Sequence, residues 1–276
     1  MTEAIPARRI ARRVVTSSRS GARQARSEWR LTASFARRQL HSQYRQSALT
    51  VVWSIIQPLA LVVVYAVVFS QILRVEGGGL PYLSFVVAGL VVWRYFQAGL
   101  NQATCFIDRS DTLSKAYFRR EVIPFSGCLA ASVELLIGYV AIFVVAAFQG
   151  IRPTVTVVAI PLILAVLIVY TVALAVLLGT VTVFVRDVAH AMPTISQVLF
   201  LASPILYPQS QIPPNLAFLG VANPVAVVAE ANRDVTLSGI WPQWGLLAVH
   251  LAIGTTLLVG SVVYLRSIED RIVDVV

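Results

Sequence analysis

Charge is what this sequence has least of. Only 13% of its 276 residues are Asp, Glu, Lys or Arg, whereas a soluble domain carries about 25% to cover its surface. That shortage excludes an ordinary soluble enzyme. Disorder over the whole chain is excluded as well, because 57% of the residues are hydrophobic and disorder needs low hydrophobicity. Lysine is nearly missing: Lys115 stands alone among the arginines. No membrane physics asks for that ratio, and it fits a GC-rich bacterial genome. The only cysteines, Cys105 and Cys128, form neither a metal-ligand spacing nor a disulfide framework. The chain has no G-x-x-x-x-G-K-[ST], H-E-x-x-H, CxxC or G-x-S-x-G, and so no phosphate cradle, zinc pair or nucleophile elbow of its own. His41, His190 and His250 are far apart and read as packed or interfacial. The expectation is a chain with no catalytic residue, no metal site and no cofactor.

What remains is a membrane protein with several spans. The mean hydropathy is +0.77, and apolar runs of the length a span needs, about 20 residues, recur. Six candidates fall at roughly 49–73, 81–104, 124–148, 154–184, 192–207 and 243–265. The first starts too late for a secretory signal and has no A-x-A site after it, so it is expected to stay as a signal anchor. The fifth is short and bracketed by Pro193, Pro204 and Pro208.

The net charge of +9 lies entirely in the first 48 residues, where eleven arginines face only Glu3 and Glu28. Such an arm suits nucleic acid or the cytoplasmic face of an anionic membrane; the spans behind it favour the second, and no nucleic-acid partner is expected. With the N-terminus inside, eighteen basic residues fall on the cytoplasmic side and three (Arg74, Arg152, Arg233) on the outer side. Both termini are therefore expected in the cytoplasm of a multi-pass cytoplasmic-membrane protein.

The chain divides into a basic arm without fixed structure (1–27), an amphipathic helix in the interface plane (28–48), a six-span domain (49–268) and a cytoplasmic tail (269–276). On the helix of 28–48, Trp29, Ala33, Ala36, Leu40 and Tyr44 share one face, Arg30, Arg37, Arg38 and Arg45 another, and Leu31 and Phe35 sit off the apolar stripe. The loop 106–122 is too long for a turn. Asp108 and Asp111 suit a helix start, Leu113 and Tyr117 share a face near Phe118, and Lys115, Arg119 and Arg120 follow. That helix suits docking of another protein or rest on lipid headgroups. On the outer side, Pro208–Pro242 holds apolar runs too short to span, broken at Pro213-Pro214 and Asn223-Pro224. The pattern predicts a re-entrant helical hairpin between spans five and six, shielded by protein or lining a wet cavity. Gly77-Gly78-Gly79 reads as a flexible outer turn. Trp241 and Trp244 mark the outer interface.

Two ionisable residues lie within spans, where they are costly. Arg94 and Glu134 each sit about ten residues, or about 15 Å, from a cytoplasmic span end. Consecutive antiparallel spans would bring them together as an ion pair, either as a lock between helices or as a polar contact near a translocation path. Tyr65, Phe69, Trp93, Tyr95 and Phe96 crowd the first two spans. They suit helix packing and interface anchoring or the lining of a path for a sugar polymer, because aromatic faces pair with pyranose rings.

The run Arg37-Arg38-Gln39-Leu40-His41-Ser42-Gln43-Tyr44-Arg45, followed by Val52-Trp53, Gln57-Pro58 and Phe69, resembles the opening of ABC-2 type permeases that export polysaccharides. Pro81-Tyr82, Gly89-Leu90, Lys115, Phe118, Arg120, Pro124, Val185-Arg186-Asp187-Val188, Ser203-Pro204, Tyr207-Pro208 and Asn223-Pro224 continue the likeness in order. Arg119 departs from the family's Phe-Pro-Arg. The resemblance implies a homodimer around a channel, paired with two separate ATPase subunits that bind ATP and Mg, and a lipid-linked glycan as cargo. It implies that Asp111, Leu113, Lys115, Tyr117, Phe118, Arg119 and Arg120 form the ATPase-coupling helix, and that Arg37, Arg38, Tyr44 and Arg45 flank the substrate entry. It also implies that Pro213, Pro214, Asn223, Pro224, Glu230 and Arg233 belong to an outer gate. O-antigen, teichoic acid and cell-wall galactan are the family's substrates, and the arginine bias puts galactan first. The rivals are a drug or lipid exporter of the same architecture and an ion-coupled secondary transporter. The latter would show inverted repeats and more intramembrane carboxylates. A membrane-embedded enzyme lacks paired catalytic residues.

Overall fold

The computed structural model describes residues 28–41, 60–75, 77–108 and 119–269. Residues 1–27, Tyr44, Arg45, the start of the first expected span, Asp111, Leu113, Lys115, Tyr117, Phe118 and residues 270–276 lie outside the described residues. Among those described the chain is helical throughout, with one isolated antiparallel bridge, Gly77 to Leu80. Gly78 and Gly79 between them have φ of 65° and 88°. The triple glycine thus forms a tight turn that needs two positive φ values.

Helix α1 covers 28–41. The apolar helix Ala60–Ile72 (α2) ends in a π-helical stretch, Val67–Ile72. Helix α3 (Tyr82–Leu100) runs on into a 3₁₀ turn, Asn101–Thr104. Helix α4 is Val122–Phe148, and α5 (Ile160–Phe184) follows a 3₁₀ turn, Val155–Ala159. Helix α6 is Asp187–Ala202 and α9, the last, is Trp244–Ser267. Four of these segments are long and apolar enough to cross a bilayer: Tyr82–Thr104, Val122–Phe148, Val155–Phe184 and Trp244–Ser267.

α3 is the axis of the bundle. About 72% of its apolar window is buried, against 22% for α9, and Phe85, Val86, Val87 and Ala88 are buried in succession. A helix covered over most of its surface needs apolar or small residues nearly all round, and its sequence supplies them apart from Arg94 and Gln97. α4 differs. Leu135, Tyr139, Ile142 and Ala146 face inward, while Leu136, Val140, Val144 and Phe148, spaced four apart, are exposed. That outer stripe is apolar on both counts, as a lipid-facing surface requires.

Helix α6 begins five residues before the expected fifth span and stops at Ala202. Asp187 in its first turn complements the helix dipole. Ser203 leaves the helix with ψ of 137°, as the residue before a proline tends to. Sixteen residues rise about 24 Å, less than the ~30 Å hydrocarbon core.

Beyond it, short 3₁₀ turns lead to α7 (Phe218–Ala222) and α8 (Pro224–Arg233), which bend by 83° at Asn223. The bend has a local cause. The Asn223 side chain caps the Val225 N–H at 2.9 Å, and Pro224 takes the first helical position, where no N–H is needed. α8 is buried along nearly its whole length; only Pro224 and Glu230 are partly exposed. It ends in a π-helical turn, Asp234–Ser238, closed by Gly239 in the left-handed conformation.

Arg233 was expected among the outer loop charges. Instead it is 2% exposed. Its Nε donates to the Phe85 carbonyl (3.2 Å), Nη1 to Pro204 (3.0 Å) and Nη2 to Ile205 (2.8 Å). Glu230 lies 3.3 Å from Nη1, and the guanidinium sits 3.7 Å from the Phe85 ring centroid. The segment 203–206 is non-helical and buried, and its carbonyls have no helical partner. Arg233 serves two of them, and the Tyr82 hydroxyl serves Leu206 at 2.7 Å. Asn232 donates to the Ala88 carbonyl (3.1 Å) and accepts from Tyr139 (2.8 Å). His250 Nε2 donates to Val221 O at 2.9 Å, which leaves Nδ1 to accept from the Tyr170 hydroxyl at 3.2 Å.

Gly89 makes room for this arrangement: a Cβ there would strike Arg233 Nη2 and lie 3.0 Å from the Ile205 carbonyl. Gly89→Ala should lower stability by about 1–3 kcal/mol through overpacking. Arg233→Met should cost about 3 kcal/mol or more, because it strands buried carbonyls. Thermal unfolding of the purified variants in detergent checks both, and an unchanged midpoint for Arg233→Met would remove the anchoring role.

Candidate functional site

Three places carry the chemistry of this chain. The first is at the end of the bundle that holds α1. Arg119 Nε pairs with Glu28 at 2.9 Å and its Nη1 approaches Glu121 at 3.9 Å. Arg266 Nη2 and Nε reach Glu121 at 2.5 and 3.2 Å. Arg120 Nε lies 3.5 Å from Glu269. The Glu121 side chain is only 9% exposed, so its charge depends on these arginines. Charge pairs thus tie α1, the entry to α4 and the end of α9 into one unit. Arg119 and Arg120, expected in the coupling helix, are the two arginines next to that loop which take part. Glu28, Glu121, Arg266 and Glu269 escaped the sequence reading, although Glu121 directly after two arginines was a visible signal.

On α1, Ala36 of the expected stripe is buried and Ala33 and Leu40 are partly covered, while Trp29 is exposed. Thr32 and Ala36 are its buried residues, with Phe35 and Gln39 partly covered, and Trp29 is 61% exposed. Thr32, Phe35, Ala36 and Gln39 follow the i, i+3, i+4, i+7 spacing of one face. The covered face thus takes in Ala33, Ala36 and Leu40 of the stripe and extends to Thr32, Phe35 and Gln39 beside it. Arg37 and Arg38 stay exposed.

The second place is a polar cavity of about 250 Å³ between α1, α3 and α4. Gln39, Arg94, Gln97, Asn101, Gln102 and Glu134 line it, with Gly127 and alanines as the apolar part of the wall. Arg94 and Glu134 do share a space, as their depths predicted. No salt bridge within 4 Å joins them among the described residues, and both side chains are exposed. The expected ion pair is therefore replaced by two charges facing one cavity. The four amides were missed because Gln39 on α1 and Gln97, Asn101 and Gln102 on α3 and its 3₁₀ extension form no motif.

The third place is aromatic. Tyr65 and Phe69 of α2, Trp93 and Phe96 of α3 and Phe200 of α6 form a chain of rings, with Trp93 and Phe200 centroids 5.2 Å apart and Tyr65 and Phe200 6.0 Å apart. Trp93 and Phe96 are buried in the single chain, while Tyr65 and Phe69 are half-buried. Tyr95 lies apart from them, against α4, where its hydroxyl accepts from Ser132 at 3.4 Å. At the opposite end, Pro213 and Pro214 are exposed, Asn223 and Pro224 form the bend, Glu230 is partly exposed and Arg233 is locked in the interior.

Apolar helices with outward-facing apolar stripes, a polar cavity between them and a charge-paired end define a multi-pass helical membrane protein. Residues 30–237 match the family described as ABC-2 type transporter, and the chain belongs to that family. It is 28% identical over 203 residues to the O-antigen export system permease protein RfbA of Klebsiella pneumoniae, covering 72% of this chain and 77% of that one. The O-antigen export system permease protein RfbA of Myxococcus xanthus is 30% identical over 183 residues, covering 66% of this chain and 70% of that one.

The ion-paired end yields a direct measurement. Glu121→Gln and Arg266→Gln should each destabilise, and the double variant should lose less than their sum, with a coupling of about 1 kcal/mol. A double-mutant cycle with zero coupling would show that the pair does not hold α4 to α9.

Proposed function

We propose that this chain is the transmembrane subunit of an ATP-driven exporter that moves a lipid-linked polysaccharide outward across the cytoplasmic membrane. The observation that carries the reading is the match to two O-antigen export permeases over about two thirds or more of each chain. Two copies would form the channel, and two ATPase subunits would bind ATP and Mg and dock on the loop 106–122. In this arrangement α2, α3, α4, α5, α6 and α9 are the six spans, both termini are cytoplasmic and α1 lies in the membrane interface. The segment from Pro208 to Pro242 is then a re-entrant hairpin on the outer side that gates the exit.

The mechanism needs no covalent chemistry from this chain. A push on the coupling loop passes through Arg119 and Arg120 into Glu28, Glu121 and Glu269, and so reaches α1, α4 and α9 together. Arg37 and Arg38, exposed on α1, are placed to draw a phosphorylated headgroup to the entry. Tyr65 and Phe69, the half-covered members of the ring cluster, supply aromatic faces for sugar rings on the way through. Cell-wall galactan is the glycan we favour.

Affinity purification from native membranes in mild detergent should bring down a stoichiometric ATPase and ATP hydrolysis. Depletion of the chain should make a lipid-linked glycan accumulate inside, and its sugar composition identifies the cargo: galactose supports galactan. A clean oligomer with no ATPase partner would overturn the proposal and point to ion-coupled transport.

A further inference from the structure

The cavity between α1, α3 and α4 has a composition that the export reading does not use. It holds one guanidinium, Arg94, and one carboxylate, Glu134, with four carboxamides. Among the described residues neither charge has a salt-bridge partner. Both lie about 15 Å from a span end, where an unmatched charge is costly. Facing one polar cavity without a direct bond, the two opposite charges leave room for a group that carries both signs. A polar cavity of about 250 Å³ is far larger than the ~30 Å³ that one water occupies in the liquid. It has the size for a small charged group.

The charges set the class of that group. A pyrophosphate would satisfy Arg94 but be repelled by Glu134. A simple cation would satisfy Glu134 and be repelled by Arg94. A zwitterion satisfies both. We infer that the cavity binds a phosphoethanolamine group, with its phosphate on Arg94 and its ammonium on Glu134. Gln39, Asn101 and Gln102 on the walls supply hydrogen bonds to the phosphate and ester oxygens.

The surroundings select a membrane lipid as the carrier. Glu134 is flanked on α4 by Val133, Leu136, Ile137 and Val140, all exposed. This apolar lane starts at the mouth of the cavity and suits acyl chains lying along the helix. The amine separates this lipid from an anionic one. Phosphatidylglycerol offers the same phosphate and no cation for Glu134.

The test uses the full-length protein in micelles with equimolar phosphatidylethanolamine and phosphatidylglycerol, followed by delipidation and native mass spectrometry. The wild type should retain phosphatidylethanolamine over phosphatidylglycerol by about ten-fold, the scale of one charge-assisted contact. Glu134→Gln should erase the preference while keeping bound lipid, and Glu134→Asp should keep part of it. Arg94→Gln should lose both lipids. Soluble glycerophosphoethanolamine distinguishes the carrier: displacement of the retained lipid only at large excess supports the lipid. Binding of the soluble form in place of lipid would overturn the carrier and keep the group. Equal retention of the two lipids by the wild type, or an unchanged preference in monodisperse Glu134→Gln, would overturn the site.

Discussion

The structure depends on the hydrogen bonds of one guanidinium. A membrane interior offers no water to backbone groups that leave a helix, so every such group needs a partner within the protein. Residues 203–206 leave the helix and are buried. Arg233 answers Pro204 and Ile205 while holding Phe85 on the central helix. Burying a guanidinium is itself costly. The three carbonyls, Glu230 and the Phe85 ring together offset that cost. Because the acceptors come from α3 and from the break after α6, the same side chain also fixes where α8 enters the bundle.

The two ends of the molecule follow different physical rules. At the Arg233 end, polar groups are buried and satisfied mostly by backbone carbonyls and neutral side chains, with Glu230 as the charged partner of Arg233, and Asn232, Tyr139, Tyr82 and His250 extend that pattern. Such networks specify one arrangement closely. At the α1 end the contacts are ion pairs gathered around the buried Glu121, and their other members Glu28, Arg119, Arg266 and Glu269 are partly exposed. The open cavity lies on that side as well. A membrane transporter needs one part that holds its shape and another that responds to a partner, and this division supplies both.

The helices were legible because they are long apolar runs, and the sharp bend was legible because Asn223-Pro224 is a local signal. The positions of Arg94 and Glu134 on neighbouring spans followed from counting residues. What they do together did not, since an ion pair and two charges across a cavity have the same spacing. The burial of Arg233 was not legible for a clearer reason. Its acceptors are backbone carbonyls, which every residue has, and the farthest lies 148 positions away. Phe35 was set aside on α1 because a helical wheel finds one apolar stripe, while this helix meets protein on one face and presents Trp29 on another.

The distance along the chain between Phe85 and Arg233 also governs how the protein is made. At a synthesis rate of 5–20 residues per second, the 148 residues between them take roughly 7–30 s to emerge. During that interval the central helix is already complete, and the notch at Gly89 faces an empty space. α4 and α5, which pack on the central helix, are made in the meantime, and the segment that carries Arg233 closes the remaining face. The face of the central helix at Gly89 is therefore among the last to be covered.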